Sequence, residues 1–338
     1  MAALRDKNFI DFEVRYMGRK NNILITGANG FVGKALFTYV KDSHQYTVKG
    51  AVRKTSQQDT SLFSVGDIDA TTDWSNALLD KDVVVHIAAR AHVINNLVAD
   101  PIAEYRRVNV DGTLNLAKQA VSAGVKRFIF ISSIGVNGGY QQIKPFLYSD
   151  SPAPWDDYTK SKYEAEIELW DISSRTGMEV VVIRPPLVYG ANAPGNFGKL
   201  INAIVNEHWL PLGGLIDNLR SFVAVDNLVD LIVTCIDHPK AANQTFLVSD
   251  DRDVSTTQLL RIMAHAFGKK ARLIPIPMSW IRGVASLLGK KAVAYRLCGS
   301  LQVDITHTKE TLGWKPPVTM EQQLAKIAAS MQSSSRDV

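Results

Sequence analysis

Tyr158 and Lys162 stand four residues apart in the run Tyr158-Thr159-Lys160-Ser161-Lys162. On a helix, that spacing places both side chains on one face. A lysine ammonium in such a position lowers the pKa of a neighbouring phenol and makes it a usable proton donor or acceptor near neutral pH. The same Tyr-x-x-x-Lys spacing recurs at Tyr16/Lys20 and Tyr140/Lys144, but only the pair at 158 and 162 opens a long helical stretch, 156–176. Ser133, the second member of Ser132-Ser133, ends an apolar run and can hydrogen-bond the same substrate oxygen. Together the three could move a proton while a hydride moves. The plainer readings are a surface helix pair and a strand-end cap, and neither explains all three in order.

A second cluster lies near the start, Thr26-Gly27-Ala28-Asn29-Gly30-Phe31-Val32-Gly33. Gly27, Gly30 and Gly33 follow a short apolar run and precede a helical pattern. Glycines there permit a tight turn, let the backbone approach a pyrophosphate and expose the N–H groups of a helix start to the anion. About 20 residues further on, dinucleotide sites place an acid for a ribose hydroxyl or an Arg for a 2′-phosphate. Here the second strand ends Gly50-Ala51-Val52-Arg53-Lys54, two cations and no acid. The expectation is NADP(H), with NAD(H) as the alternative. Asp67, after the third strand, is either a partner for the adenine amino group or a turn residue.

These groups need elements to position them. Apolar runs at Asn22–Thr26, 46–53, 62–65, 83–88, 127–132 and Glu179–Arg184 alternate with helical patterns at 31–41, 102–123 and 156–176. Alternation of this kind predicts an α/β fold, a Rossmann-type doubly wound parallel sheet with helices on both faces. After Arg184, Pro185, Pro186, Pro194 and Pro211 with Gly195, Gly198, Gly213 and Gly214 break the regularity. The expected organisation is an extension over 1–21, a dinucleotide domain over 22–184, a smaller, partly interleaved substrate lobe over 185–330 and a frayed tail over 331–338.

The bulk properties agree. The chain has 338 residues, 46 % hydrophobic and 21 % charged, with formal net charge +5. The basic balance suits an anionic small molecule. Without a dense Lys/Arg tract, nucleic acid is set aside as a partner. Cys235 and Cys298 lack metal-ligand spacing, which points to a reducing cytoplasm and no metal site. No stretch is long and apolar enough for stable membrane insertion.

With these residues in view, the chain resembles the extended short-chain dehydrogenase/reductases, the NAD-dependent epimerase/dehydratase group, over about 22–330. The resemblance also rests on His86-Ile87-Ala88-Ala89, Val108-Asn109-Val110-Asp111-Gly112-Thr113, Arg184-Pro185-Pro186-Leu187-Val188-Tyr189-Gly190, Arg220-Ser221-Phe222-Val223-Ala224-Val225-Asp226-Asn227 and Leu312-Gly313-Trp314-Lys315-Pro316. It implies a catalytic set of Ser133, Tyr158, Lys162 and Asn109. The implied cofactor contacts add Asn29, Phe31, Val32, Ile68, Ala88, Ala89 and Pro185 to the glycines, Arg53 and Asp67, with Tyr158 and Lys162 shared. The implied substrate contacts are Ser133, Asn196, Arg220 on a nucleotide-sugar phosphate and Arg296 as a second phosphate contact, with Phe197 and Leu212 shaping the pocket. A homodimer through the helices at 102–123 and 156–176 is implied as well.

Similar sugar dehydratases carry Asp-Glu after the catalytic Ser/Thr, where this chain has Ile134-Gly135, so dehydration is not expected. The resemblance favours a reductase of a UDP-4-keto-6-deoxy-N-acetylhexosamine, serving surface polysaccharide synthesis. The alternative is a UDP-glucose or UDP-N-acetylglucosamine 4-epimerase with retained NAD. Leu187, where nucleotide-sugar enzymes often have Asn, leaves a non-sugar ketone as a second alternative. A dinucleotide-sensing regulator is disfavoured by the retained Tyr/Lys pair. A lipid-linked sugar stays open, although no basic amphipathic helix stands out to argue it.

Overall fold

The computed structural model describes residues 21–55, 60–91, 100–140, 144–289 and 291–334. The extension at 1–20, with its Tyr16/Lys20 pair, and the last four residues lie outside the described residues. In chain order the elements are β1 (Asn22–Thr26), α1 (Phe31–Ser43), β2 (Thr47–Val52), β3 (Leu62–Ser64), α2 (Ser75–Leu78), β4 (Val83–His86), α3 (Pro101–Arg106), α4 (Gly112–Ser122), β5 (Arg127–Ile131), α5 (Asp157–Thr176), β6 (Glu179–Arg184) and β7 (Leu187–Tyr189). They continue with α6 (Asn196–Val205), β8 (Arg220–Ala224), α7 (Val225–Asp237), β9 (Gln244–Leu247), β10 (Asp253–Val254), α8 (Thr256–Ala266), α9 (Met278–Leu287), α10 (Lys291–Cys298), α11 (Thr306–Leu312) and α12 (Met320–Ser334).

Seven strands form one parallel sheet in the order β3-β2-β1-β4-β5-β6-β9. Alternate residues of a strand face opposite sides, and both sides are apolar here. Ile23, Ile25, Val83 and Val85 pack with Leu36 and Val40 of α1 and Leu228 and Ile232 of α7. Leu24, Val84, Phe128 and Phe130 pack with Leu116 of α4 and Leu169 of α5 on the other face. Burial on both faces explains why the central strands read as unbroken apolar runs. The fold is therefore the expected doubly wound α/β sheet.

A second, three-stranded sheet, β10-β8-β7, anchors a smaller core with Tyr189, Phe197, Ile201, Leu260 and Met263. The chain does not stay in this lobe after Arg184. α7 packs on the first sheet, and β9 pairs in parallel with β6 at its edge. Residues 225–247 thus return to the dinucleotide side before β10 and α8 rejoin the smaller core. α12 stays helical through Ser334, so the fraying expected from 331 does not begin there.

The stretch 102–123 is not one regular helix. α3 is capped by the Asp100 side chain, which accepts from the Ala103 N–H, and a π-helical turn over Arg107–Asp111 joins it to α4. Such turns widen a helix locally and often mark functional positions; this one carries Asn109. α5 starts with a reciprocal capping box between Asp156 and Thr159 and stops at Gly177, whose φ of 75° is the left-handed region glycine tolerates. No helix among the described residues is long and apolar enough to cross a membrane.

Candidate active site

The glycine turn connects β1 to α1 at the carboxyl end of the sheet. Gly27 has φ +69°, and a Cβ there would lie 3.0 Å from the Ala88 Cα and N. A Cβ on Gly33 would come within 2.0 Å of the Gly27 carbonyl oxygen, so only glycine lets the first turn of α1 close against the loop. Asn29 and Gly30 are exposed, Phe31 and Val32 are half-buried, and no side chain caps the start of α1. With no acid in that first turn, the free N–H groups and the helix dipole make a cradle that fits a pyrophosphate.

At the other end of this groove, Arg53 follows β2 and Asp67 follows β3. They form an ion pair of 2.9 Å, Arg53 Nε to Asp67 Oδ1, with both side chains mostly exposed. Ile68 is half-buried, and its Cγ2 lies 2.6 Å from where a Cβ on Gly112 would sit. Ala88 and Ala89 follow β4 beside the glycine turn, half-buried and exposed respectively. Pro185 is buried at the end of β6, and its carbonyl accepts from the Ile134 N–H at 3.0 Å.

α5 carries the proposed chemistry in its first two turns. Lys162 is 1 % exposed and forms no ion pair among the described residues. Its Nζ sits 4.1 Å from the centre of the Phe130 ring. Burial pulls its pKa down to about 7, opposed by the Glu166 carboxylate one turn further on. Tyr158 is half-buried, with its ring edge-on to Tyr105 at 6.0 Å. Here the sequence expectation fails. Lys162 does not lower the Tyr158 pKa; burial pushes the phenol up to about 12, with smaller contributions from Asp156 and Tyr105.

Ser133 is half-buried at the end of β5. Its Oγ accepts from the Gly135 N–H at 3.2 Å and caps a short 3₁₀ turn, which leaves the hydroxyl proton to donate elsewhere. A Cβ on Gly135 would meet Thr159 Cγ2 at 2.4 Å, so there is no room for the carboxylate that dehydration would need at this place.

Asn109 is fully buried in the π turn. Its amide nitrogen donates to the Arg90 carbonyl and to Ser161 Oγ, each at 3.0 Å, and its Oδ1 accepts from the Arg90 N–H at 2.8 Å. These bonds tie the chain after β4 to α5. Asn109 also ends a buried relay that begins at the glycine turn. The Ile87 and Ala88 N–H groups donate to Thr26 Oγ1, which meets His86 Nδ1 at 2.7 Å. His86 Nε2 meets Thr113 Oγ1 at 3.0 Å, and Thr113 donates to the Asn109 carbonyl at 2.7 Å. Because Thr113 spends its proton on that carbonyl, His86 must donate from Nε2 and accept at Nδ1. Burial, reinforced by the Lys162 charge, drops its pKa to about 3 and keeps it neutral. The sequence motifs that hold His86 and Thr113 carry no sign that the two side chains meet.

Beneath the site, Arg184 donates to Glu166 through Nε at 3.0 Å and Nη2 at 2.5 Å, and to Asn137 Oδ1 at 2.9 Å. Ser132 donates to the same Glu166 carboxylate. Ser132 is thus a structural neighbour of Ser133, with its own proton committed.

On the smaller lobe, the Arg220 guanidinium lies 5.1 Å from the Tyr140 ring centre and 5.5 Å from that of Phe222. Its Nη1 donates to the Arg296 carbonyl at 3.2 Å. The Arg296 guanidinium lies 5.2 Å from the Trp155 ring centre, and Tyr140 packs edge-on to Trp155 at 5.6 Å. Neither arginine has a carboxylate partner among the described residues, so two cations share one aromatic corner. Asn196 is exposed at the start of α6, and nothing links it to that corner. Phe197 and Leu212 belong to the small lobe's core, at 4 % and 8 % exposure, and Phe197 packs on Tyr189. Among the described residues, no three His, Cys, Asp or Glu side chains gather as a metal site.

The sequence pattern of the NAD dependent epimerase/dehydratase family matches residues 23–249. A UDP-glucose 4-epimerase of Vibrio cholerae is 50 % identical over 318 residues, covering 93 % of this chain and 97 % of the relative. The N-acetyl-alpha-D-glucosaminyl-diphospho-ditrans,octacis-undecaprenol 4-epimerase of Escherichia coli O157:H7 is 28 % identical over 319 residues, 90 % of this chain and 93 % of the relative. Among solved structures, UDP-glucuronic acid 4-epimerase from Bacillus cereus in complex with NAD superposes with a TM-score of 0.74 at 20 % identity, covering 94 % of this chain and 98 % of that one. At that identity, the likeness speaks for the fold.

Proposed function

The chain belongs to the NAD dependent epimerase/dehydratase family and is an NAD-dependent short-chain oxidoreductase-type enzyme, and from that premise we propose that it is a 4-epimerase of a UDP-hexose, UDP-glucose or its N-acetylated form. The observation that carries this reading is the 50 % identity, nearly end to end, with a protein named as a UDP-glucose 4-epimerase. It favours the epimerase over the 4-ketoreductase that sequence alone put first. The steroid-type alternative loses ground with it.

In this reading the glycine turn and the start of α1 hold the pyrophosphate of NAD. NAD held there would supply the hydride acceptor for C4 and the hydride for the opposite face of the 4-keto sugar. Tyr158 takes the proton of the C4 hydroxyl as the hydride leaves and gives it back to the 4-keto oxygen afterwards. Ser133 donates a hydrogen bond to that oxygen, and Lys162, one turn along α5, would hold the nicotinamide ribose. Asn109 sets the distance between the cofactor loop and α5. Arg220 and Arg296 take the diphosphate.

The cofactor proposed is NAD(H) rather than NADP(H). The lean to NADP(H) rested on Arg53 standing without an acid. Asp67 reaches it from the neighbouring strand, so the ribose end has a carboxylate after all and Arg53 is engaged. A 2′-phosphate there would face the Asp67 charge. A homodimer through α3, α4 and α5 and a cytoplasmic location belong to the same proposal.

Purified protein incubated with UDP-glucose or UDP-N-acetylglucosamine, with no dinucleotide added, is expected to produce the C4 epimer and to release NAD on denaturation. Stoichiometric NADPH consumption with a 4-keto sugar, and no epimer from either UDP-sugar, would overturn the assignment.

A further inference from the structure

One broad half of α9 is apolar, opposite Ser279, Arg282 and Ser286. Met278 and Ile281 at one edge of it fix the helix to the core of the smaller lobe. Trp280, Val284, Leu287 and Leu288 beside them are left at 71 %, 56 %, 88 % and 65 % exposure. Their spacing of four, three and one residues sets them in a single stripe along one side of the helix. Soluble proteins rarely leave a tryptophan and two leucines this bare side by side.

The charge around the stripe is one-sided. The fifty residues 254–303 hold eight Lys and Arg and not one Asp or Glu, although the whole chain is only +5. Arg261, Lys269, Lys270 and Arg282 are exposed there. Arg272 is exposed over the ring of Trp209, another bare tryptophan at 65 %, with 5.9 Å between guanidinium and ring centre, and it pairs with Glu207 at 3.7 Å. The turn of Trp209 joins this region through Leu210, whose N–H donates to the Arg272 carbonyl at 2.9 Å. A protein partner with an acidic rim could answer the charge, but bare Trp and Leu set in a segment with cations and no acids of its own, Glu207 on Arg272 being a neighbouring carboxylate, is the composition of a surface that lies in the headgroup layer.

We propose that α9 and the basic segment leading to it dock this protein peripherally on an anionic lipid bilayer, with Trp280, Leu287 and Leu288 entering the interface. No spanning segment is needed. α10, which packs against α9, carries Arg296, so docking would set the two-arginine corner beside the membrane. The proposal stands apart from the sugar assignment, because it rests on a surface that does not include Tyr158, Lys162 or Ser133.

The test is co-sedimentation of the full chain with vesicles of phosphatidylcholine alone or with about one-third phosphatidylglycerol. Binding to the anionic vesicles is expected to exceed that to neutral ones by about tenfold or more and to weaken with salt. The triple variant Trp280→Ser, Leu287→Ser, Leu288→Ser is expected to lose about tenfold or more of that binding, while its thermal midpoint and its epimerisation of a soluble UDP-sugar stay as in the wild type. The pair Lys269→Glu, Lys270→Glu, with its apolar stripe intact, should lose the preference for anionic vesicles. Absence of vesicle binding at low salt overturns the proposal, as does binding that the triple variant leaves unchanged. Failure to bind vesicles together with a dimer that the triple variant dissolves would assign the stripe to a second copy instead.

Discussion

Lys162 holds a charge where charge is expensive, and its position gives the site a measurable pH signature. Its pKa is about 7 in the folded chain against 10.5 when exposed. Between those values the unfolded chain keeps a proton that the folded chain has released, so folding stability contributed by this group rises with pH across the window. Below about 7 both states are protonated and the full cost of the buried ammonium is present. Lys162→Met removes that cost. The variant is expected to be more stable than the wild type at pH 6.5, by an order of 1–3 kcal/mol, with the gap closing toward pH 10. Urea midpoints at both pH values check it, and a gap that is flat or grows with pH refutes the assignment of the shift. The residue types at 133, 158 and 162 were legible from spacing. The direction of the Tyr158 shift was not, because spacing reports which charges are near and says nothing of how dry the phenol is.

At the scale of elements, the site rests on links between strand ends and helices. Glu166 of α5 and Arg184 of β6 are 1 % and 6 % exposed along their side chains, a buried pair that welds the catalytic helix to the sheet. Removing one partner leaves the other charge buried and unpaired, at a cost of about 3–5 kcal/mol. Arg184→Met is therefore expected to lower stability by that order. Adding Glu166→Gln should restore a large part, since the amide is neutral and still accepts from Ser132. Chemical denaturation of the two variants decides it; a double variant no more stable than Arg184→Met would mean that packing, and not charge, dominates the loss. A 3.6-residue period showed α5 in the sequence. The π turn at Asn109 stayed hidden, because one extra residue in a turn leaves the apolar pattern on either side intact. The bare stripe of α9 escaped for a related reason: the apolar half of an amphipathic helix reads as buried, and only burial residue by residue separates Ile281 from Leu287.

Over the whole molecule, the alternation of strands and helices gave away the parallel sheet, and the Pro- and Gly-rich texture after Arg184 marked the entry to the smaller lobe. The return did not show, since Gln244–Leu247 carries only four residues of pattern and no turn chemistry that names its neighbour. Yet that return decides how the molecule unfolds. α7 covers one face of the first sheet with Leu228, Leu231, Ile232 and Cys235, and Arg127 of β5 donates to the carbonyls of Cys235 and Ile236 at 2.7 and 2.8 Å. Trp314 adds to the same core and donates from Nε1 to Asp230 Oδ1 at 2.7 Å. The chain crosses between lobes at Arg184, at Val225, after Leu247, before Leu301 and again after Trp314, so neither core closes without segments that lie beyond the other. Unfolding in urea is then expected as one transition, with far-ultraviolet dichroism and tryptophan fluorescence giving the same midpoint. A fragment ending at 184 should fail to fold, because it lacks α7 over one sheet face and leaves β6 as a bare edge. Two separated midpoints in the full chain, or a soluble fragment with a cooperative melt, would show that the lobes are independent and that the interleaving contributes topology without stability.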